Sequence, residues 1–251
     1  MATIKKISYK KDITYIRVNN VKEVMAIIGK NFFQNPCQKI NLIGVTGTNG
    51  KTSTVSFIKQ ILGYDCKVGS IGTIEIYDGE KTITSINTTP ESLDIQKNLN
   101  EMIKNNCKYC VMEVSSHALV LNRIDNIDYE VAVFTNLTQD HLDFHKTLEN
   151  YKNAKEKLFY KTKSINIFNI DDKVGEEFFN KSLNRDIKTY TYGVEKEADF
   201  KATNIKLYDD RTEYDLIIDK QKYKVSTPIL GNFNVYNTLA AITTCILLGL
   251  S

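Results

Sequence analysis

No stretch of the 251-residue chain approaches the ~18 consecutive apolar residues that a membrane-spanning helix needs. The longest apolar helical run, residues 239–250, is too short and carries Thr243 and Thr244. The opening Met1-Ala2-Thr3-Ile4-Lys5-Lys6 has no apolar core of the kind a secretory signal requires. No Lys/Arg-rich arm stands out, and 33 basic against 30 acidic residues is too even a balance to imply nucleic acid. The five cysteines form no disulfide framework. Cys107-x-x-Cys110 invites a zinc reading, but a structural site takes four ligands and no second Cys/His pair has the spacing, so Cys110 reads as the opening of a buried strand. There is no internal repeat and no low-complexity tract. These absences lead to the expectation of a reduced, cytoplasmic protein that engages neither membrane nor nucleic acid.

What remains is an ordinary globular composition, 42% hydrophobic and 25% charged, able to bury a sizeable core. Residues 1–38 are rich in Lys and Asn. Within them 13–18 reads as a strand and 21–33 as an amphipathic helix, too little for an independent domain. From Lys39 apolar strands alternate with helical stretches, the mark of a parallel α/β sheet. Strands are expected at 40–45, 109–114, 131–136 and 164–169, and an extended piece at 67–76 punctuated by Gly69 and Gly72. Helices are expected at 51–62, 92–105, 148–160, 173–184 and 234–248. Four strand-like pieces between 187 and 225 read as an antiparallel group with turns at Asp209-Asp210 and Asp219-Lys220. The fold class is therefore α/β: a P-loop domain with a mostly parallel sheet flanked by helices and a smaller antiparallel β portion near residues 187–225.

The run 44–52 is a strand, a glycine-bearing turn and a helix start, and its end, Gly47-x-x-Gly50-Lys51-Thr52, carries the chemistry. Glycines let the backbone curl so that successive N–H groups face one anion. The helix opening near Lys51 adds its positive end. In such a P-loop the lysine reaches the β- and γ-phosphates and the hydroxyl of Thr52 coordinates Mg²⁺.

Three further polar segments fall at the C-terminal ends of expected strands or before a helix, where α/β sheets place their sites. They are Met112-Glu113-Val114-Ser115-Ser116-His117, the run 134–143 ending Asp140-His141-Leu142-Asp143, and Asn87-Thr88-Thr89-Pro90-Glu91. Glu113, an acid at the end of an apolar strand, suits a Mg²⁺ ligand or a base organiser. His141 and His145 stand four apart, but a metalloprotease helix needs Glu after the first His and Leu142 is there. A histidine ligand to the magnesium of ATP fits His141 better.

The string Gly47-Thr48-Asn49-Gly50-Lys51-Thr52 resembles the ATP loop of the Mur ligases, which build the peptidoglycan peptide, and of the related folylpolyglutamate synthetases. Glu113-Val114-Ser115-Ser116-His117-Ala118-Leu119, the run 134–145 ending Asp143-Phe144-His145, Asn87-Thr88-Thr89-Pro90 and the run 231–237 also resemble the Mur ligases, in the same order. The resemblance is to the branch that extends a UDP-muramoyl dipeptide, and the Ser-Ser-His and Asp-His-Leu-Asp-Phe-His segments are not expected of a folylpolyglutamate synthetase.

The resemblance implies ATP-dependent amide formation. The terminal carboxylate of UDP-N-acetylmuramoyl-L-alanyl-D-glutamate attacks the γ-phosphate, and the acyl phosphate is captured by the amine of an amino acid. It implies that Gly47, Thr48, Asn49, Gly50, Lys51, Thr52 and Ser53, with Asn136 and with Asn234 near the adenine, hold ATP. It implies that Thr52, Glu113 and His141 bind Mg²⁺. Asn87, Thr88, Thr89, Ser115 and Arg123 would meet the muramoyl peptide. Lys155 matches a lysine that becomes carbamylated, turning a cation into an anion able to help hold a second Mg²⁺; Lys51, Lys155 and His141 would be the catalytic groups. Leu121 stands where some members carry Gln, so no contact is assigned there. The family's central ATPase domain would span 39–251, with 1–38 a short remnant of its N-terminal domain. On that reading the chain binds ATP and Mg²⁺ but does not complete the ligation unaided, and a partner chain or further domains are implied. A folate-type ligase, an ATP-binding module active only with a partner chain, and a P-loop kinase are the rival readings; the Ser-Ser-His and Asp-His segments argue against the last.

Overall fold

The computed structural model describes residues 10–250; the first nine residues of the expected 1–38 remnant lie outside the described residues. In chain order the elements are α1 (Val21–Phe32), β1 (Asn41–Thr46), α2 (Lys51–Leu62), β2 (Val68–Ile71), β3 (Glu75–Tyr77), β4 (Thr82–Thr84), α3 (Ser92–Lys104), β5 (Tyr109–Glu113), α4 (Ser116–Val120), β6 (Tyr129–Phe134), α5 (Leu142–His145), α6 (Leu148–Glu156), β7 (Thr162–Asn169), α7 (Lys173–Ser182), β8 (Lys188–Gly193), β9 (Phe200–Leu207), β10 (Thr212–Ile218), β11 (Gln221–Thr227) and α8 (Asn232–Leu247).

The strands form one sheet in the order β11-β10-β9-β8-β7-β6-β1-β5-β2-β3-β4. Its centre, β2-β5-β1-β6-β7-β8, is parallel. Parallel strands are covered on both faces, which is why β1 and β5 read as nearly unbroken apolar runs rather than as alternating ones. The period-2 geometry of a strand then divides each run between two cores. Leu42, Cys110, Met112 and Phe134 join Leu99, Phe168 and Phe178 on one face. Ile43, Val45, Val111 and Val133 join Val55, Ile58 and Leu239 on the other, under α2 and α8. On the first face α1 lies against α3, with Gly29 close enough to Leu93 and Gln96 that a Cβ would touch both.

Three expectations are corrected. Residues 13–18 form no strand; Ile13 and Ile16 are exposed, and an extended run with no neighbour to pair with has nothing to hold it as a strand. The helix expected to reach 160 stops at Glu156 and continues as a 3-10 turn to Lys161, which brings Leu158 and Phe159 into the core. The antiparallel portion starts at β9 rather than at 187: β8 is parallel to β7, and β9 joins it in the same direction through only two rungs, Tyr192↔Phe200 and Gly193↔Lys201. The α7 crossover dictates the direction of β8, and the six-residue link to β9 suffices because β9 starts level with the end of β8 rather than returning to its beginning. Within 187–225 only β9, β10 and β11 pair antiparallel, and at the opposite edge β2, β3 and β4 do so as well.

A candidate ATP and acid-substrate site at the sheet crevice

β1 sits between β5 and β6, so the turns that follow these three strands meet at one edge of the sheet. This is the crevice where open α/β sheets bind ligands. The register sets Val45 beside Glu113 and Thr46 beside Phe134, which brings Glu113 and Thr135 level with the start of the loop after β1.

That loop, residues 47–50, turns on two glycines with positive φ, 151° at Gly47 and 83° at Gly50. A Cβ on Gly47 would meet Thr135 Oγ1 at 1.9 Å, and one on Gly50 would meet Asn237 Oδ1 at 2.3 Å. Both positions therefore need glycine for space as well as for conformation. The loop is braced by the end of β6. The N–H of Thr48 donates to the Asn136 carbonyl (2.8 Å), and the Asn136 side chain accepts from the N–H of Asn49 (2.9 Å) and donates to its carbonyl (3.0 Å). Thr135 Oγ1 also donates to the carbonyl of Asn49 (2.7 Å). The amides of Thr48 and Asn49 are thus spent on the protein. Those that open α2, at 51–53, have no acceptor within their own helix and remain for an anion. Asn234, on the first turn of α8, donates to the Leu230 carbonyl and accepts from Asn237, the residue that faces Gly50.

Lys51 Nζ donates to the carbonyls of Gly47 (2.9 Å) and Thr48 (2.8 Å). An ammonium has three donors, so one is left over. Lys155 Nζ also reaches the Gly47 carbonyl, at 2.6 Å, and lies 4.4 Å over the Tyr151 ring. Lys155 is 1% exposed although α6 is otherwise a polar helix. Burial, and then the neighbouring Lys51 charge, hold the Lys155 ammonium well below its ordinary range. Burial lowers Lys51 as well, against the pull of Glu113 and Asp140.

Lys51 and Lys155 line a cavity of about 290 Å³ together with Asn87, Thr88, Ser115, Ser116, His117, Arg123, His141 and Tyr151. The chain's three histidines all gather at this wall, His117 with its ring centroid 4.9 Å from His141 and 5.6 Å from His145. His145 shares a hydrogen bond of 2.9 Å with Ser116 Oγ. Burial, then His117 and Lys155, push the His145 imidazole down to about 4. Arg123 donates to the Thr89 carbonyl (2.9 Å) and pairs with Glu91 (2.8 Å), while its buried Nε has no partner. Thr89 Oγ1 in turn donates to the Glu113 carbonyl (2.8 Å) and accepts from the N–H of Ser115 (3.0 Å).

Thr52 and Glu113 line a second cavity of about 270 Å³ with Ser70, Gly72 and Glu75. Glu113 Oε2 accepts from the Thr52 hydroxyl at 2.9 Å. A hydroxyl and one carboxylate are hard oxygen donors. They fit Mg²⁺, which takes one or two protein ligands and completes its octahedron with phosphates and water. His141 lines the other cavity, so the expected magnesium set is divided between two walls. Among the described residues no three His, Cys, Asp or Glu side chains cluster as a metal site of their own. Sequence reasoning missed Thr73. Its N–H (2.7 Å) and hydroxyl (3.1 Å) both donate to Glu113, and its hydroxyl lies 3.1 Å from that of Thr88. The signal available was Gly72, a glycine before a polar residue at a strand end.

A family model described as the Mur ligase middle domain matches residues 45–245. The chain belongs to the Mur ligase family. Every residue lining the two cavities falls within the matched span. Among curated Mur ligases, the UDP-N-acetylmuramoyl-L-alanyl-D-glutamate--2,6-diaminopimelate ligase of Clostridioides difficile (strain 630) is 51% identical over 241 residues, 96% of this chain and 50% of that protein. The protein of the same name from Clostridium botulinum (strain ATCC 19397 / Type A) is 47% identical over 97% of this chain and 50% of its own length. A solved structure of such a ligase superposes with a TM-score of 0.81 at 28% identity, over 91% of this chain and 48% of that one. An FPGS–AMPPCP complex superposes with a TM-score of 0.68 at 17% identity, over 90% of this chain and 63% of that one, a likeness of fold. The chain spans about half the length of the curated relatives it matches. Among the described residues no helix is long and apolar enough to cross a membrane.

Proposed function

We propose that this chain supplies the ATP-using part of a cytoplasmic ligase of peptidoglycan precursor synthesis. The ligase joins 2,6-diaminopimelate to UDP-N-acetylmuramoyl-L-alanyl-D-glutamate. The observation that carries the reading is the 290 Å³ cavity, in which the phosphate-loop lysine shares walls with Ser115, Arg123, His141 and Lys155. Phosphate binding and carboxylate recognition face one space. The choice of 2,6-diaminopimelate rests on the names of the relatives at 51% and 47% identity.

In this reading the amides opening α2 and the Lys51 ammonium hold the phosphates of ATP, with Asn136 keeping the loop in shape and Asn234 standing on the nucleoside side. Thr52 and Glu113 would hold Mg²⁺, with His141 and Lys155 completing the charge from the other cavity; bound there, the ion neutralises charge on the phosphates. Arg123, Ser115 and the 87–89 turn orient the acid substrate. Its carboxylate oxygen bonds to the γ-phosphorus as the bond to ADP breaks. The amine then bonds to the acyl carbon, phosphate departs and the amine loses a proton. Two anions must meet for this, and the Lys51 ammonium and the positive start of α2, in a desolvated pocket, lower the cost of that meeting. Lys155, with its amine pushed toward the neutral form, suits attack on CO2: an N–C bond forms, a proton leaves and a carbamate results. The test is calorimetry with magnesium and an ATP analogue, followed by UDP-muramoyl dipeptide, on the chain alone and with any partner domains. Binding of the nucleotide with no binding of the muramoyl peptide to either preparation, or ADP formation driven by a folate acid instead, would overturn it.

A further inference from the structure

Thr73 belongs to neither the phosphate loop nor the 87–89 turn, yet it touches the machinery of both. It sits in the link between β2 and β3, held by the N–H of Gly72 donating to the Glu75 carbonyl (3.0 Å). A Cβ on Gly72 would lie 2.5 Å from Glu113 Oε1, so the link approaches the carboxylate this closely only because Gly72 has none. That approach delivers the N–H of Thr73 to Glu113 Oε1 at 2.7 Å. The Thr73 hydroxyl stands 3.1 Å from Glu113 Oε2 and 3.1 Å from Thr88 Oγ1.

Proton counting fixes the direction of this chain. A carboxylate only accepts, and a hydroxyl has one proton to give. Thr73 donates to Glu113, so Thr88 must donate to Thr73. The orientation of the Thr88 hydroxyl, on the wall of the 290 Å³ cavity, is therefore set by the charge of Glu113, on the wall of the 270 Å³ cavity. Glu113 also receives the hydroxyl of Thr52, so the sequence of bonds runs from the first turn of α2 to the turn before α3. Thr73 itself is exposed, and its hydroxyl contributes little to the core.

We propose that Thr73 is a positioning residue that aims Glu113 at the divalent cation of the bound nucleotide and ties the 85–89 segment to it, so that loading the nucleotide orders the acid-substrate turn. The proposal rests on the ATP–Mg²⁺ reading above. Coupling of this kind is reciprocal and is carried by bonds that both sites bias.

Thr73→Val keeps the shape and the backbone N–H but removes the hydroxyl; Thr73→Ser keeps the hydroxyl. The probe is β,γ-methylene-ATP, titrated once with Mg²⁺ and once with EDTA, with amide hydrogen exchange of residues 85–89 followed in both. We expect the wild type and T73S to gain the same affinity from Mg²⁺ and to show slower exchange at 85–89 when the magnesium nucleotide binds. T73V is expected to lose about 10- to 100-fold of that magnesium-dependent gain, the worth of one hydrogen bond to a charged group. It should keep its affinity in EDTA and show no slowing at 85–89. A T73V protein that retains both responses overturns the proposal. So does one that weakens equally in EDTA, since the effect would then lie on the loop at large. If the wild type itself gains nothing from Mg²⁺, the ATP–Mg²⁺ reading fails first and this inference with it.

Discussion

Replacing Lys155 by Met should leave the domain at least as stable while removing its activity. Lys155 Nζ and Lys51 Nζ both donate to the Gly47 carbonyl, at 2.6 and 2.9 Å. Two unit charges about 5 Å apart repel by about 3 kcal/mol at an effective dielectric of about 20, and taking an ammonium out of water adds several kcal/mol. Against this stand a charge-assisted hydrogen bond worth about 2 kcal/mol and the contact over Tyr151 worth about 1 kcal/mol. The penalty has a ceiling, because the amine can give up its proton. From the ordinary value of 10.5, deprotonation at pH 7 costs about 5 kcal/mol. Met fills the same volume without charge, and the Gly47 carbonyl keeps Lys51, so no acceptor is orphaned.

The expected result is therefore an unchanged or raised melting temperature at pH 7, each kcal/mol gained being worth roughly 2–4 °C in a domain of this size. The sign with pH follows from the lowered native value. Between it and 10.5 the unfolded chain binds more protons, so wild-type stability rises with pH there and is lowest below the native value. K155M has no such dependence, and the gap between the two proteins should close as the pH approaches 10. The assay is thermal unfolding by circular dichroism from pH 6 to 10 in CO2-depleted buffer, paired with ATP turnover in the presence of the acid substrate. A K155M protein melting several degrees below the wild type at pH 7 would refute the reasoning, since Lys155 would then be an anchor rather than a strained functional cation.

Gly50→Ala places a Cβ 2.3 Å from Asn237 Oδ1 at a φ of 83°, costing about 1–2 kcal/mol in backbone strain alone. ATP affinity should fall at least 10-fold, and G50A/N237A should recover the steric part but not the conformational part, by calorimetry. Arg123→Met should weaken UDP-muramoyl dipeptide binding roughly 10- to 100-fold while ATP affinity stays within about twofold; equal losses of both would mean that Arg123 holds the fold rather than the substrate. His145, held at about 4, is neutral in the native state while the unfolded chain takes up a proton near 6.5. Stability is therefore lost as the pH falls from about 6.5 to 4, by about 3 kcal/mol, and His145→Asn should flatten that slope in melts across the same range.

The phosphate loop was legible because its backbone demands are written as residue types at fixed spacing. Gly47 and Gly50 are needed where φ is positive, and Lys51 and Thr52 where a cation and a hydroxyl must point inward. The parallel centre was legible because strands covered on both faces need unbroken apolar runs. The direction of β8 was not, since the residues 188–193 look alike whichever way they run, and the α7 crossover decides it. Nor was the burial of Lys155. Its helix has a polar composition, and only the approach of the 47–50 loop, over a hundred residues earlier, encloses it. For Thr73 the sequence offers no more than the hint of Gly72, since its meaning lies in a carboxylate forty residues on.

The pairing of Lys51 with Lys155 bears on more than stability. Two cations on one carbonyl are poorly arranged for each other and well arranged for an anion between or beside them. The repulsion of about 3 kcal/mol becomes an attraction of similar size if Lys155 carries the negative carbamate proposed above, a swing of about 6 kcal/mol from the protonated amine and about 3 kcal/mol from the neutral one. A γ-phosphate beside Lys51 relieves the same strain from the other side. The two remedies do not add, because a carbamate and a phosphate sharing Lys51 repel each other unless a divalent cation stands between them. Thr52 and Glu113, on the adjoining wall, offer the hard oxygens to hold one. The cost of crowding two lysines is thus what makes the pocket's charge depend on nucleotide, cation and carbamate together, rather than on any one of them alone.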